Sequence, residues 1–510
     1  MGGGVLVVGR RHAISHGMNT TARNVLVVAL MVLAILLALG AWLIHGKPSR
    51  HAISEFEGRR PKLVNIDIEK VPSVQLVRTI GWGSGEAPKP ADGLAVNRWA
   101  EGLNHPRTML ALPNGDVLVA ETNGPKREGG GLMGWVERKF MGRVGAGGPS
   151  PDTIMLLRPA AGGDRAGSRF VLRRDGLASP SGMAWAKDTL YVANHDAVLA
   201  FPYKPGQTRI DGAPRIVAKL PAGGAHWMRN LQLSADGKSL FVAIGSGSNI
   251  GENGMDKEAG RAAIYQIDLS TGAMRQYAAG MRNPNGMAIN PASGELWAVV
   301  NERDMLGPDL VPDYLTNVPV GAHYGWPWYY WKEYNDPRVD APMPEFLTDY
   351  ARKPEYALGP HVAALGLAFT RGGERMGGRF ANGAFIARHG SWNRKPAVGY
   401  DVVFVPFDAR GNPLGLPVPV LTGFLAGDDT THGRPTWVAW AGDGSLLVSD
   451  DTAGVIWRVM APGAAPSAPI RPVETGHMPP QRSLNSEATL RYGASFGGDQ
   501  KVEQQAGHSY

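Results

Sequence analysis

The stretch GLNHPRTMLALPNGDVLVAET at residues 102–122 holds two apolar runs joined by the turn Pro113-Asn114-Gly115-Asp116. It predicts a β-hairpin, because Asn-Gly supplies the positive φ angles that a tight turn requires. Related stretches begin at Gly176, His226, Gly280, Ala364 and Gly433. Several copies continue into a further strand-like run, at 262–269, 400–407 and 455–460.

The six copies begin 50 to 84 residues apart, which is the spacing of four-stranded propeller blades that carry insertions. We therefore predict an all-β fold, a six-bladed β-propeller over residues 95–461. A β-sandwich is the alternative, but sandwiches lack a returning turn-plus-strand motif of this kind.

Composition supports a β-rich chain and excludes several functions. The 68 glycines and 39 prolines are too many for a helical bundle. The net charge of +7 comes from dispersed basic residues without a basic helix, so we expect no nucleic-acid partner. The absence of cysteine excludes disulfides, thiolate metal sites and c-type haem attachment within the chain.

Residues 25–44 form a run of 20 residues without a charge. As a helix this run spans about 30 Å, the thickness of a bilayer core. We predict one N-terminal transmembrane helix, an uncleaved single-pass anchor in the inner membrane. Residues 1–24 would then be cytoplasmic and the large domain periplasmic. The alternative is a cleaved signal peptide, whose apolar stretch is usually shorter.

The remaining segments have weaker patterns. Residues 45–94 are predicted to be a tether and the entry to the propeller, and the long spacings between repeats predict insertions at 124–168 and 304–360. Residues 462–510 are rich in Pro, Ser, Gln and Gly and are predicted to be a disordered tail.

Polar residues at the starts and ends of the repeats are expected to meet near the propeller axis, because loops at one end of the blades converge there. The residues at these positions are His226, Arg229, Arg282, Asn283, Arg434, Asp450 and Asp451. Arginines gathered around one axis repel each other unless they bind anions, so a ligand with several carboxylates would suit them.

Five segments carry a family resemblance: HWMRNL, GMRNPNG, LGPDLVPDYL, HYGWP and RPTWVAWAGDGSLLVSDDTAG. They resemble pyrroloquinoline quinone (PQQ)-dependent glucose/sorbosone dehydrogenases over roughly residues 95–460. PQQ is a tricarboxylated o-quinone, which fits a cationic axis. The resemblance implies that an aldose or sorbosone-like sugar passes hydride to the quinone, and that a separate cytochrome or membrane quinone accepts the electrons.

The resemblance also implies roles for individual residues. His226 matches the family's general base, and an unperturbed histidine titrates near pH 6.5, which suits this work. The family usually has an Asp beside the base, where this chain has Ala225, so the partner that orients the imidazole stays open. Arg282 and Asn283 match the cofactor pair, and Arg282 would also stabilise the developing oxyanion.

Further positions carried over by the resemblance complete the expected site. Cofactor binding is expected from Arg229, Arg434 and Asp451, with Asp450 as a rival to Asp451, and either Arg394 or Lys395 takes the place of a family lysine. The carbonyls of Gly307 and Pro308 match a pair that holds Ca²⁺. Asp304, Asp309 and Asp313 lie nearby in sequence as further oxygen ligands.

Two other functions stay open at this point. A calcium-dependent lactonase or hydrolase could arrange Glu121, Asn194, Asn283 and Asp450 around one metal ion, although this would leave the arginines and His226 without a role. A non-catalytic, membrane-anchored propeller that acts as a binding scaffold is also compatible with the fold.

Overall fold

The computed structural model describes residues 19–44, 47–70, 73–125 and 148–472. Contacts divide the chain into one unit of residues 1–46 and a second unit of residues 47–510. In the first unit, the apolar run forms α1 (Thr20–Ile44). Among the described residues, no helix is both long and apolar enough to cross a membrane. The structure therefore gives no support to the predicted transmembrane anchor at 25–44, and most of segment 1–24 lies outside the described residues.

The second unit is built from strands. Before the first repeat lie β1 (Glu57–Gly58), β2 (Arg78–Thr79), β3 (Lys89–Pro90) and β4 (Ala95–Ala100). Blade 1 contains β5 (Pro106–Ala111), β6 (Val117–Glu121), β7 (Thr153–Pro159) and β8 (Ala166–Arg173). Blade 2 contains β9 (Met183–Ala186), β10 (Thr189–Ala193), β11 (Ala197–Pro202) and β12 (Arg215–Lys219). Blade 3 contains β13 (Leu231–Leu233), β14 (Ser239–Ile244), β15 (Ala263–Asp268) and β16 (Met274–Ala279).

Blade 4 contains β17 (Asn283–Ile289), β18 (Leu296–Asn301) and β19 (Pro312–Asn317), then a separate hairpin of β20 (Tyr329–Tyr330) and β21 (Tyr334–Asn335), then β22 (Tyr356–Pro360). Blade 5 contains β23 (Ala364–Phe369), β24 (Gly383–Arg388), β25 (Asp401–Pro406) and β26 (Val418–Thr422). After β27 (Thr430–Thr431), blade 6 contains β28 (Pro435–Trp440), β29 (Leu446–Asp450) and β30 (Val455–Met460). The described helices of this unit are α2 (Leu347–Tyr350) and the 3-10 turns Ile53–Phe56, Met255–Glu258 and Gly378–Phe380.

These sheets confirm the all-β, six-bladed propeller, and each predicted repeat supplies the two innermost strands of one blade. One apolar core lies between each pair of neighbouring blades, because consecutive side chains of a strand point to opposite faces. In β6, Val117 packs towards blade 6 and Leu118 towards blade 2. In β24, Phe385 packs towards blade 6 and Ile386 towards blade 4.

The ring closes through the N-terminal strand of the domain. The outermost strand of blade 6 is β4, which pairs antiparallel with β30, Ala100 lying opposite Ile456 and Ala95 opposite Met460. Blade 6 thus contains three strands from the end of the domain and one from its beginning. This pairing joins the two ends of the propeller by main-chain hydrogen bonds.

Close approach of the innermost strands explains why glycine recurs in the repeat. A Cβ atom on Gly286 of β17 would lie 2.3 Å from the carbonyl oxygen of Leu365 in blade 5. A Cβ atom on Gly366 of β23 would lie 2.7 Å from Cα of Trp437 in blade 6. Any larger residue would push neighbouring blades apart near the axis.

The predicted tether at 45–94 is wrong for most of its described length, because this segment packs on the propeller. β1 adds a fifth strand to blade 4, with Glu57 opposite Leu358, and β3 adds a fifth strand to blade 5. β2 pairs in parallel with β27. Phe56 is fully buried, so the segment contributes to the core.

Three other predicted boundaries change. Strand β7 and the start of β8 lie inside the predicted insertion 124–168, and β19 and β22 lie inside the predicted insertion 304–360. The sequence pattern did not indicate these strands, because prolines, glycines and acidic residues interrupt the alternation of apolar and polar residues. The start of the predicted tail is also ordered, since Ser467 N–H donates to the Glu374 carbonyl at 2.8 Å. Residues 126–147 and 473–510 lie outside the described residues.

We expect Arg388→Met to lower the free energy of unfolding by about 3–5 kcal/mol, because it leaves two carboxylates without their buried cation. Arg388 of β24 contacts Glu57 Oε1 of β1 at 2.5 Å and Asp401 Oδ1 of β25 at 2.7 Å. Urea unfolding followed by circular dichroism measures this loss. The control is Arg209→Met, which breaks the exposed ion pair with Asp211 and should cost no more than about 1 kcal/mol. An equal loss of unfolding free energy in the two variants would contradict a stabilising role for the buried ion pairs of Arg388.

Candidate functional site

Polar residues collect at the end of the ring where each innermost strand begins and each second strand ends. Because these two strands are antiparallel, Asn283 lies opposite Asn301 in blade 4, and Pro435 lies opposite Asp450 in blade 6. We call this end of the propeller the axial end. The residues there include His226, Arg282, Asn283, His389, Arg434 and Asp451.

His226, in the loop before β13, is held by the residue that follows β14. Its Nδ1 lies 2.9 Å from the Ser246 carbonyl oxygen and 3.1 Å from Ser246 Oγ. A carbonyl oxygen only accepts, so the proton of the neutral ring lies on Nδ1 and Nε2 keeps its lone pair. Within the described residues, Nε2 has no hydrogen-bond partner, so this nitrogen is available to a ligand as a proton acceptor.

Asn283 lies directly beside His226, because Gly245 separates them without a side chain. A Cβ atom on Gly245 would lie 2.4 Å from Asn283 Oδ1 and 2.6 Å from His226 Cβ. Asn283 Nδ2 in turn donates to Asn301 Oδ1 at 3.3 Å. The structure thus brings together two of the residues predicted for the site.

Arg282 lies close enough to His226 to affect its charge, but its donors are already occupied. Its Nη2 donates to Asp304 Oδ2 at 2.7 Å and its Nη1 to the Glu302 carbonyl at 2.7 Å. Asp304 also accepts from Asn393 Nδ2 at 2.7 Å. Burial acts to raise the pKa of Asp304, but Arg282 and His361 hold it well below its usual range. Arg282 is therefore part of an ion-pair network.

The basicity of His226 differs from the near-neutral value expected from its residue type. Burial, followed by the positive charge of Arg282, lowers the pKa of His226 to about 3. The ring is therefore neutral throughout the physiological range. This is the protonation state in which a histidine can accept a proton.

Arg229, predicted to bind cofactor, instead holds the loop of His226 in place. It is fully buried, and its guanidinium donates to the carbonyls of His226 at 2.8 Å and Pro221 at 2.9 Å. Burial, with Arg261 nearby, lowers the pKa of Arg229 to about 9. The cofactor-binding prediction for Arg229 is therefore not supported by its contacts.

Arg434 has unused hydrogen-bond donors. Its Nε and Nη2 are buried and have no hydrogen-bond partner in the described part of the chain. The guanidinium carbon lies 4.8 Å from the centroid of the Tyr400 ring, which holds the group in place by a cation–π contact. Asp450 lies behind it and accepts from the Arg434 main-chain N–H at 2.8 Å. Buried, unpaired guanidinium donors are the feature that an anionic ligand satisfies.

Asp451, also predicted to bind cofactor, is paired within the protein. Its carboxylate contacts Arg107 Nη1 and lies 3.0 Å from His389 Nε2. Although burial acts in the opposite direction, His389 and Arg107 hold the pKa of Asp451 well below its usual range. Asp451 is therefore a partner for Arg107 and His389 rather than a ligand for an anion. Asp450, its rival, is a buried structural carboxylate whose pKa burial raises to about 6.

Arg107 connects blade 1 to blade 6 and to the loop of His226 at the axial end. From blade 1 it contacts Asp451 of blade 6, and its Nε lies 3.4 Å from Met228 Sδ in the loop of His226. Its guanidinium carbon also lies 5.8 Å from the centroid of the Trp227 ring. The side chain of Arg107 thus links Asp451, which follows β29 in blade 6, to the loop of His226.

The predicted calcium ligands have other partners. The Gly307 carbonyl lies 3.2 Å from His361 Nε2, and the Pro308 carbonyl accepts from Arg394 Nε at 3.0 Å. The pKa of His361 is raised, because the neighbouring carboxylate of Asp304 outweighs burial. A histidine ring nitrogen and a guanidinium therefore lie against the carbonyl oxygens that were predicted to hold Ca²⁺.

The acidic residues nearby do not restore that site. Asp309 Oδ1 accepts from Arg394 Nη2 at 3.0 Å, and Asp313 accepts from the main-chain N–H groups of Glu302 and Ala363 at 2.8 and 2.7 Å. Within the described residues, no group of three or more His, Cys, Asp or Glu could hold a metal ion. The oxygens of 307–313 that were predicted to hold calcium thus have partners within the protein, and calcium binding there stays a prediction.

Of the two alternatives, Arg394 and Lys395, the side chain of Arg394 is engaged by other groups of the protein. Arg394 is almost fully buried between Pro308, Asp309 and Ser49, so it fixes the N-terminal segment to blades 4 and 5. The carbonyl of Lys395 accepts from Ser49 N–H at 2.7 Å. The position of a family lysine against the cofactor is therefore not filled by Arg394.

The lactonase arrangement also receives no support. Glu121 Oε1 accepts the Asn104 N–H at 2.8 Å, and Asn194 Nδ2 donates to the Gly176 carbonyl at 3.1 Å. Asp450 accepts from the Arg434 main-chain N–H and from the Trp82 indole N–H, so the three side chains already have partners within the protein.

Sequence reasoning missed His389, Arg107 and His361. His389 follows β24 at the position that Asp451 occupies after β29, so the loose fifth repeat contained the signal in IARHG. Arg107 lies inside β5, one residue after the proline that opens the strand, and nothing in the first repeat marks it as different from a surface residue. His361 lies in the connection from β22 to β23, for which the repeat gives no alignment.

Comparison with known proteins places the chain in a family. A family model described as TrAA12-like matches residues 168–316 and 345–461, more than half of the chain. A carbohydrate-active enzyme of family AA12 from Trichoderma reesei has the same fold, with a TM-score of 0.60 and 21% identity over 74% of this chain and 98% of that one. The holo PQQ domain of a pyranose dehydrogenase from Coprinopsis cinerea gives a TM-score of 0.57 and 21% identity, covering 76% of this chain and 100% of that one.

Two curated relatives match at 32% identity. One is an uncharacterized protein of Borreliella burgdorferi, matched over 48% of this chain, and the other is a PQQ-dependent pyranose dehydrogenase of Coprinopsis cinerea, matched over 21%. The matches span 64% and 16% of the lengths of these relatives. The resemblance to quinoprotein sugar dehydrogenases is confirmed. The chain belongs to the TrAA12-like family.

Proposed function

We propose that the chain is a PQQ-dependent oxidoreductase that oxidises an aldose or a sorbosone-like sugar. The observation that carries the proposal is Arg434, whose buried guanidinium has two unpaired donors at the end of the propeller where His226 is held neutral. The name of the Coprinopsis cinerea relative, a PQQ-dependent pyranose dehydrogenase, supports the same chemistry.

The residues of the axial end fit PQQ. A tricarboxylate needs buried cationic donors, and Arg434 offers two that have no partner among the described residues. Asn283 offers an amide beside His226. Arg282 is already paired with Asp304, so we expect it to act mainly by lowering the pKa of His226 and less by binding the ligand. We therefore assign PQQ binding primarily to Arg434 and Asn283.

PQQ, when bound, supplies the acceptor for the hydride that leaves the sugar carbon. His226 performs the accompanying proton transfer, because Nε2 carries the free lone pair while Nδ1–H is held by Ser246. The proton of the sugar hydroxyl moves to His226 Nε2, and the ring becomes an imidazolium. Buried, preorganised groups of this kind act without a solvent-reorganisation cost.

Several parts of the sequence interpretation stay predictions. Calcium binding at 307–313 is one of them, and because its carbonyls contact Arg394 and His361, we give calcium no part in the reaction. A separate electron acceptor, a cytochrome or a membrane quinone, is still expected because a chain without cysteine has no c-type haem site. The periplasmic location and the membrane anchor are also still proposals.

His226→Ala should lower turnover of the PQQ-loaded protein with aldoses by roughly 10²–10⁴-fold, because it removes the proton acceptor. PQQ affinity should change little, since Arg434 is untouched. Dye-linked oxidation over a panel of sugars measures turnover. The control is His323→Ala, since this ring lies beside the outer strand of blade 3, away from the axis. Normal turnover in His226→Ala would show that another residue is the base.

Arg434→Met should weaken PQQ binding by roughly 10–100-fold, because a hydrogen bond to a charged group contributes about 1.5–3 kcal/mol. Calorimetric titration of PQQ into the full chain gives the dissociation constant. Arg458→Met is the matched control, since Arg458 pairs with Asp443 at the opposite end of blade 6. The same affinity in both variants would contradict PQQ binding at Arg434.

The pH profile should show no loss of kcat/KM as the pH falls from about 7 to 6, where an ordinary histidine with a pKa of about 6.5 would become protonated. The reason is that burial and Arg282 lower the pKa of His226 to about 3, so the base remains neutral. Initial rates of the PQQ-loaded protein across this range provide the test. An acid limb centred near pH 6.5 would mean that His226 is not held in this environment.

A further inference from the structure

We propose that Glu258 is a positioning residue for His226 and acts on it through Ser248 and Ser246. The inference rests on the proposed function, because it takes His226 as the proton acceptor. It also identifies what orients the imidazole in a chain where Ala225 stands beside the base.

A continuous series of short contacts joins the two residues. Ser248 Oγ lies 2.5 Å from Glu258 Oε1, and the Gly247 N–H donates to Glu258 Oε2 at 2.6 Å. Ser246 Oγ donates to the Ser248 carbonyl at 2.6 Å. Ser246 then contacts His226 Nδ1 through both its carbonyl and its hydroxyl oxygen. Both oxygens of Glu258 are therefore committed to the segment that holds the histidine.

The number of protons fixes the direction of each hydrogen bond. The single hydroxyl proton of Ser246 goes to the Ser248 carbonyl, which cannot donate. Ser246 Oγ therefore accepts from His226 Nδ1–H, as does the Ser246 carbonyl. Ser248 Oγ accepts from Gly251 N–H at 3.0 Å, so its own proton goes to Glu258. A neutral ring with its proton on Nε2 would leave two oxygens facing a bare Nδ1.

The surroundings of Glu258 keep this arrangement rigid. Glu258 is 5% exposed and closes the 3-10 turn Met255–Glu258. A Cβ atom on Gly247 would lie 3.3 Å from Glu258 Oε1 and 3.4 Å from Arg261 Cδ, so the carboxylate and a cation both pack against this glycine. The Gly247 carbonyl also accepts from Ala225 N–H at 2.8 Å, which connects the segment to the loop of His226.

The consequence is a histidine whose tautomer is set before substrate arrives. When Nε2 takes up a proton, the positive charge of the imidazolium spreads to Nδ1–H, and its hydrogen bonds to Ser246 strengthen. The carboxylate of Glu258, which is connected to the ring through Ser248 and Ser246, favours that positive charge without contacting the ring. Partners that orient a reactive histidine in this indirect way typically contribute 10–100-fold to activity at metal sites.

The first test is Glu258→Gln in the full chain, labelled with ¹⁵N-histidine and studied by NMR without added PQQ. We expect wild-type His226 to show a protonated Nδ1 and a bare Nε2, and the variant to show a mixture of tautomers. His226→Gln identifies the resonance. Because this readout needs no activity, it stands even if the protein oxidises no sugar.

The matched control is Glu374→Gln. Glu374 is also a buried carboxylate that accepts two main-chain N–H groups, from Arg371 and Gly372, and a serine hydroxyl, from Ser467, but it lies in blade 5 away from the axial end. An unchanged His226 tautomer in folded Glu258→Gln would overturn the proposal, and so would an equal change in both variants.

The second test uses turnover of the PQQ-loaded protein. We expect kcat to fall roughly tenfold in Glu258→Gln with KM changed less than about twofold, because the base is affected and substrate contacts are not. Ser248→Ala breaks the same link if Glu258→Gln fails to fold. A change in KM alone would overturn the positioning role. Absence of turnover in the wild type would instead contradict the proposed function.

Discussion

The main-chain pairing of β4 with β30 is the contact on which the rest of the structure depends. Each blade buries both of its faces against neighbours, so an open ring would expose one face of blade 1 and one face of blade 6. The inter-blade core that contains Val117, Leu447 and Ile456 exists only when the ring is closed. The axial end has the same requirement, because Arg107 of blade 1 pairs with Asp451 of blade 6.

Charge at the axial end is divided between groups that are paired and groups that are not. Arg229 and Arg282 donate to carbonyls or to Asp304, and they stabilise the loop and the ion-pair network around His226. Arg434 keeps two buried donors that have no partner in the described part of the chain. The arginines near this axis therefore do not all have the same role, because Arg229 and Arg282 already have acceptors within the protein.

Much of the fold follows from the sequence, since Asn-Gly and Asp-Gly turns between apolar runs mark six hairpins. The strands β19 and β22 could not be recognised, because PDYLTN and YALGP mix prolines or glycine with apolar residues. At the site, the motifs predicted His226 and Asn283, which the fold brings side by side. Arg229, Asp451 and the carbonyls of Gly307 and Pro308 were also predicted from motifs, but in the structure they contact other groups of the protein. Residue type alone does not show whether a guanidinium or a carbonyl already has an internal partner, and for Arg394 and Pro308 that partner lies 86 residues away.

The origin of blade 6 has a consequence for biosynthesis. Its outer strand emerges from the ribosome among the first parts of the domain, and its three inner strands emerge last. The pairing surface of β4 must therefore remain unmatched until translation of the domain is nearly complete. Arg434 is made in the same late segment, so a nascent chain that lacks its final blade has neither a closed ring nor the cation that would take up an anionic cofactor. The proposed loading of PQQ would thereby be confined to finished molecules.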